Sequence, residues 1–195
     1  MNRSQLPDWK VTTMSGHPAT VVFALLITLF LTPLKAHGES NAEKAGDIVQ
    51  VLIPATAFIA TLSLDDHEGT AAFLKSFAVN QGITSALKYA INKPRPEGNG
   101  DYSFPSGHTS AAFQGATFIA IRYGWRYGIP AYLGAAYVGW SRIEGESDKH
   151  DIYDVAAGAA IGILSSYYFT KPYKGVEIVP FAGSGALGFS MCKRW

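Results

Sequence analysis

One cysteine, Cys192, occurs in the 195 residues, so the chain forms neither an internal disulfide nor a cysteine-based metal cluster. Charge is equally sparse. Charged residues make up 16% and the net charge is +1, which leaves no basic field and excludes nucleic acid as a partner class. Internal repeats and low-complexity segments are absent, and the length suits one domain with a full core rather than two. Long apolar runs are missing too: the N-terminal run Ala19–Leu34 falls short of the roughly 20 residues that cross a bilayer upright.

What surrounds that run is informative. Arg3 and Lys10 precede it, and Ala36-His37-Gly38 follows with the small-x-small spacing of a cleavage site. Residues 1–38 are therefore expected to be a signal peptide or a retained membrane anchor. Either delivers the following domain into a bacterial cell envelope, as an inner-membrane protein with a periplasm-facing site or as a periplasmic protein after cleavage. A hydrophobic content of 48% with mean hydropathy +0.09 sits between the soluble and the polytopic membrane classes.

The remainder reads as helices. Ile48–Leu64 is alanine-rich without strand alternation, with Pro54 set to kink it or mark a start. Thr70–Asn92 carries Phe73, Phe77, Ile83, Leu87 and Ile91 at helical spacing and is stopped by Pro94 and Pro96. A third helix runs from Ser106 or Gly107 to about Arg122, followed by a turn over Tyr123–Gly128. A fourth spans Ile129–Trp140 with Pro130 in its first turn, and a fifth His150–Thr170. Glycine and alanine crowd the last three helices. Because glycine costs about 1 kcal/mol in a helix interior, that density implies backbones packed closely together. Val176–Trp195 alternates differently and predicts a small β-hairpin.

Polar chemistry collects at the predicted helix ends. Pro105-Ser106-Gly107-His108 opens a helix, whose unpaired N–H groups and positive dipole end favour an anion, with Ser106 able to donate to it. Lys88 closes the helix before it, and Arg95, held extended between two prolines, can grip two phosphate oxygens with its planar fork. Arg142 stands at the end of the fourth helix. His150 and Asp154, four apart at the start of the fifth, share a face, which lets the carboxylate orient one ring nitrogen and leave the other as a free lone pair. Each piece alone has an ordinary reading as a cap, a surface cation or a solvated pair. Helix ends on one side of an antiparallel bundle meet in space, so together they describe a phosphate pocket with two histidines to act on it.

These residues closely resemble the signature of the type-2 phosphatidic acid phosphatase superfamily, which includes vanadium haloperoxidases and bacterial acid phosphatases. Lys88-x6-Arg95-Pro96 matches its first part, Pro105-Ser106-Gly107-His108 its second, and Ser141-Arg142…His150-x3-Asp154 its third. The third departs from the pattern: seven residues separate Arg142 from His150 where the family has five. The extra residues are expected to bulge outward while both ends hold position, since loops tolerate insertions cheaply.

The resemblance implies an all-α antiparallel bundle of five or six helices over residues 39–174, with the hairpin at 175–195. It implies that His150 attacks phosphorus, that Asp154 orients it, and that His108 protonates the leaving oxygen. Lys88, Arg95, Ser106, Gly107 and Arg142 would bind the phosphate. No metal or other cofactor is called for. The implied substrate is a phosphorylated lipid at a membrane: phosphatidate, phosphatidylglycerophosphate, undecaprenyl pyrophosphate or lipid A. A soluble periplasmic acid phosphatase for small phosphoesters is the alternative; a vanadate-dependent haloperoxidase and a non-enzymatic binding protein are more remote. Nothing in the sequence speaks to oligomeric state.

Overall fold

The computed structural model describes residues 40–98, 100–145, 149–173, 177–183 and 186–192. Five helices form among them: α1 (Asn41–Ser63), α2 (His67–Ile91), α3 (Gly107–Tyr123), α4 (Trp125–Ile143) and α5 (Ile152–Phe169). The expected all-α class holds for this body. A sixth helix over Ala19–Leu34, and with it the signal-or-anchor reading, lies outside the described residues. After α5, the backbone of β1 (Glu177–Gly183) runs antiparallel to β2 (Ala186–Cys192), with Glu177 opposite Cys192.

Several boundaries differ from the sequence expectation, the start of α2 at His67 and the end of α4 at Ile143 among them. α1 begins at Asn41, not Ile48, because Ser40 and Glu43 form a capping box: Glu43 N–H donates to the Ser40 hydroxyl at 3.2 Å, and Ser40 N–H to the Glu43 carboxylate at 2.9 Å. The helix runs on through Pro54 to Ser63. α4 begins at Trp125, so Pro130 lies in the helix interior rather than its first turn. The expected turn shrinks to Gly124, whose φ of 97° ends α3 and opens α4 in a conformation side chains rarely adopt. Finally, α5 starts at Ile152 with Asp151 as its cap, which leaves His150 just outside the helix.

α3 sits centrally, packed on α1, α2, α4 and α5. Its contact with α5 is made by glycine: a Cβ at Gly158 would stand 2.4 Å from the Ser106 carbonyl, and one at Gly162 would stand 2.4 Å from that of Ser110. The small-residue pattern thus marks a real close approach of backbones. On the other side Phe58, Phe73, Phe77 and Phe118 form an aromatic core, Phe73 meeting Phe118 edge-on at 5.1 Å.

A polar seam runs beside that core. Ser110 donates to Asn80 at 2.7 Å and pairs with Thr84 at 2.9 Å, while Gln114 donates to Ser76 at 2.9 Å and its carbonyl accepts from Ser166 at 2.6 Å. These six side chains are buried, so hydrogen bonds tie α2, α3 and α5 together from within.

The helices alternate in direction, so the end of α2, the start of α3, the end of α4 and the start of α5 share one end of the bundle. The opposite end is closed by Arg122. Its Nε donates to Asp66 at 2.7 Å, its Nη2 makes a second bond to the same carboxylate, and its Nη1 donates to the Lys171 carbonyl at 2.8 Å.

Candidate active site

Asp154 anchors one side of the cluster. It is the third residue of α5 and completes a capping box with Asp151, whose carboxylate accepts from Asp154 N–H at 3.0 Å. Its own carboxylate is buried and accepts from Lys93 at 2.7 Å and from the Ser103 hydroxyl. Lys93 also pairs with Asp151. His150 Nδ1 lies 3.5 Å from Asp154 Oδ2 and 3.3 Å from Ser103 Oγ. The pair is therefore not a helix-face pair, as its spacing suggested, but a residue ahead of the helix meeting one in its first turn. With Nδ1 turned to Asp154, the lone pair at Nε2 points the other way.

Burial pushes the His150 imidazole down to about 4, against the pull of Asp154, so the ring is neutral at ordinary pH. A buried, neutral, carboxylate-oriented imidazole has the attributes of a nucleophile or base.

The longer third motif closes at its base. His150 N–H donates to the Arg142 carbonyl at 2.8 Å, so both ends of the connecting loop are held whatever its length. Arg142 is fully buried: Nη1 stands 3.0 Å from Asp47 Oδ1, Nη2 donates to the Glu43 carbonyl at 2.8 Å, and Nε to Ser141 Oγ at 3.3 Å. Gly46 makes room for it, since a Cβ there would approach Nη2 to 2.8 Å.

The start of α3 supplies the third side. The Phe104–Pro105 peptide is cis, and Ser106 N–H donates to the Asp154 carbonyl at 2.9 Å, fastening the turn to α5. Ser106 caps α3, accepting from Thr109 N–H at 3.5 Å and meeting Thr109 Oγ1 at 3.0 Å. When Thr109 donates that second contact, the Ser106 proton remains for an anion. Gly107 faces Lys88, whose Cε would lie 3.7 Å from a Cβ at that position. His108 Nε2 stands 3.5 Å from Asp47 Oδ1.

The cations act on one another. Burial, with the neighbouring Arg95, lowers Lys88 to about 8 against the pull of Asp154; its Nζ donates to the Tyr102 carbonyl at 2.8 Å. Arg95, also lowered by burial, is opposed by Arg142 and favoured by Asp154, and its N–H donates to the Gly100 carbonyl at 2.7 Å. His108 is driven well below the usual imidazole range by burial, then by Arg142, His150, Lys88 and Arg95. That four separate groups act on one ring shows how closely the motifs converge. A phosphate dianion would relieve this mutual repulsion.

A carboxylate, two imidazoles, three cations and a helix N-terminus thus meet at one end of a helical bundle, an arrangement suited to an anion. A family model of the PAP2 superfamily matches residues 69–175, and the chain belongs to that superfamily, as a phosphoric ester hydrolase. It is 28% identical over 193 residues to the lipid A 4′-phosphatase of Helicobacter pylori, covering 88% of this chain and 96% of that protein. It is 41% identical over 90 residues to the lipid A 1-phosphatase of Porphyromonas gingivalis, 45% of this chain and 20% of that one. The crystal structure of Aquifex aeolicus LpxE superposes with a TM-score of 0.56 at 21% identity, over 79% of this chain and 87% of that one, and shares its fold.

All eight residues singled out in the sequence therefore lie at one end of the bundle. Four further participants were missed. Ser103 precedes the second motif, and Lys93 is a spacer within the first. Glu43 and Asp47 precede the stretch expected to form the first helix, although Ser40-x-x-Glu43 is a readable helix start that would have placed Asp47 on a helix.

Proposed function

We propose that the chain removes phosphate from a membrane lipid, with His150 as nucleophile, Asp154 as its orienting carboxylate and His108 as acid and base. The arrangement of His150 carries this reading: Nδ1 is turned to Asp154 and Ser103, which orients the ring for attack through Nε2. Nε2 attacks phosphorus, the ester P–O bond breaks, and the leaving oxygen takes the His108 proton. Water then gives a proton to His108 and attacks the phospho-histidine, breaking the P–N bond and restoring both rings. Lys88, Arg95, Arg142, Ser106 and the Gly107 amide neutralise the equatorial oxygens. No step calls for a metal.

The lipid class is supported by the named relatives, which make lipid A the first substrate to test, ahead of phosphatidate, phosphatidylglycerophosphate and undecaprenyl pyrophosphate. The surface favours a bilayer as well. α1 and α5 are long and apolar enough to cross a membrane. Ile48, Leu52 and Ile59 on α1, Leu133 and Trp140 on α4, and Leu164 on α5 are exposed. A soluble acid phosphatase would expose fewer such side chains. We place the site on the periplasmic face, with residues 39–174 as the phosphatase domain and 175–195 as a hairpin.

The test is phosphate release, with EDTA present, from lipid A, long-chain phosphatidate, undecaprenyl pyrophosphate and para-nitrophenyl phosphate, by washed membranes and by the soluble fraction. Lipid turnover in membranes that is lost in His150→Ala is expected. Turnover mainly of the small ester in the soluble fraction would overturn the lipid assignment, and full activity in His150→Ala would overturn the mechanism.

A further inference from the structure

Asp47 lies outside the stretch that carries the three motifs and outside residues 69–175, yet it touches two of the motifs at once. Its Oδ1 stands 3.0 Å from Arg142 Nη1 and 3.5 Å from His108 Nε2. Its position is built rather than incidental. The Ser40–Glu43 capping box starts α1 early enough to include it, Gly46 lets α1 press against Arg142, and the Glu43 carbonyl takes another guanidinium nitrogen at 2.8 Å.

We infer that Asp47 is a positioning residue for the acid–base histidine: held by Arg142, its carboxylate favours, against the surrounding cations, the protonated form of His108 that donates to the leaving group. The inference rests on the phosphatase reading given above and extends it to one more residue.

The physical need is plain. Lys88 from α2, Arg95 from the following segment, Arg142 from α4 and His150 all face His108 with charge or potential charge, and each disfavours the imidazolium. Asp47, reaching in from α1, opposes them. At 3.5 Å the contact with Nε2 is an ion pair too long for a strong hydrogen bond, so it supports the charge without consuming the proton to be transferred. Arg142 holds the same carboxylate oxygen at 3.0 Å, so Asp47 is shared between the two partners. The proton bookkeeping is that of the two-step reaction: His108 loses its proton to the leaving oxygen and regains one from water, while Asp47 stays ionised.

The test compares Asp47→Asn, near-isosteric but uncharged, with Asp47→Glu. Histidine ring titration by NMR, with His108 assigned from His108→Ala, is run beside pH–rate profiles on para-nitrophenyl phosphate and on an alkyl phosphate. In Asp47→Asn, His108 is expected to titrate at lower pH and the alkaline limb of kcat to move down with it. Turnover should fall on the order of 10- to 100-fold on the alkyl ester, whose poor leaving group needs the proton, and less on the nitrophenyl ester. Asp47→Glu should keep the wild-type limb. An unmoved His108 titration in Asp47→Asn, or equal losses on both esters with an unshifted profile, would overturn the inference and leave Asp47 as packing for Arg142. If Asp47→Asn does not fold, a wild-type limb displaced in Asp47→Glu counts against it equally. A wild type that releases phosphate from neither these esters nor the lipid panel would instead defeat the phosphatase reading, and the ring titration would still decide the pairing.

Discussion

Four donors converge on Asp154: Lys93, Ser103, the Asp151 N–H at 3.3 Å and His150. Such a carboxylate cannot rotate without breaking several charge-assisted bonds, and its immobility is passed to the His150 ring. Lys93→Ala or Ser103→Ala should thus lower kcat by on the order of 10²-fold through a slightly misplaced nucleophile, with KM little changed; steady-state kinetics on para-nitrophenyl phosphate would show the split. Protonation states set a second expectation. His150 must be neutral to attack, so the acid limb of kcat/KM should fall near pH 4. His108 must be protonated to donate, and its lowered free-enzyme value puts the alkaline limb of kcat/KM below the usual imidazole range. Bound phosphate adds negative charge and raises His108, so the alkaline limb of kcat should lie at higher pH than that of kcat/KM. Paired pH profiles would show whether the two limbs separate.

At the scale of elements, the close approach of α3 to α5 sets the geometry of the phosphate turn. Gly158 lies against the Ser106 carbonyl, so a side chain there must push the turn away from α5. Gly158→Val should lower stability by about 1–3 kcal/mol and reduce activity in the same variant, as read by thermal unfolding and turnover. This contact also shows what the sequence disclosed. Lys88, Arg95, His108, His150 and their neighbours were legible because each motif is local and begins or ends a helix that proline or a capping residue marks. The density of small residues was legible as closeness, but not as closeness to a particular partner. Asp47 was not legible, because its partners lie 61 and 95 residues away and nothing local records such a contact. Lys93 escaped for a related reason: it sits within the first motif as a spacer, yet it serves the third. The start of α4 was misplaced because Pro130 marks a first turn by propensity, whereas the left-handed Gly124 started the helix a turn earlier.

For the whole molecule, the two ends of the bundle carry different duties. The pair between Arg122 and Asp66 is buried, is joined by Tyr123 at 3.1 Å, and lies at the end opposite the histidines. Arg122→Ala leaves Asp66 a buried charge without its partner and should cost about 3–5 kcal/mol. Turnover per folded molecule should change little; denaturant unfolding beside active-site titration would separate the two effects.

The seam of Ser76, Asn80, Thr84, Ser110, Gln114 and Ser166 carries a different consequence. Here the interior is hydrophilic while α1 and α5 carry exposed apolar side chains, the reverse of the usual distribution. A saturation substitution map would show it as a reversal of the familiar palette. Leucine would be disruptive at Asn80, whereas serine would be tolerated at the centre and costly at Leu164 on the rim.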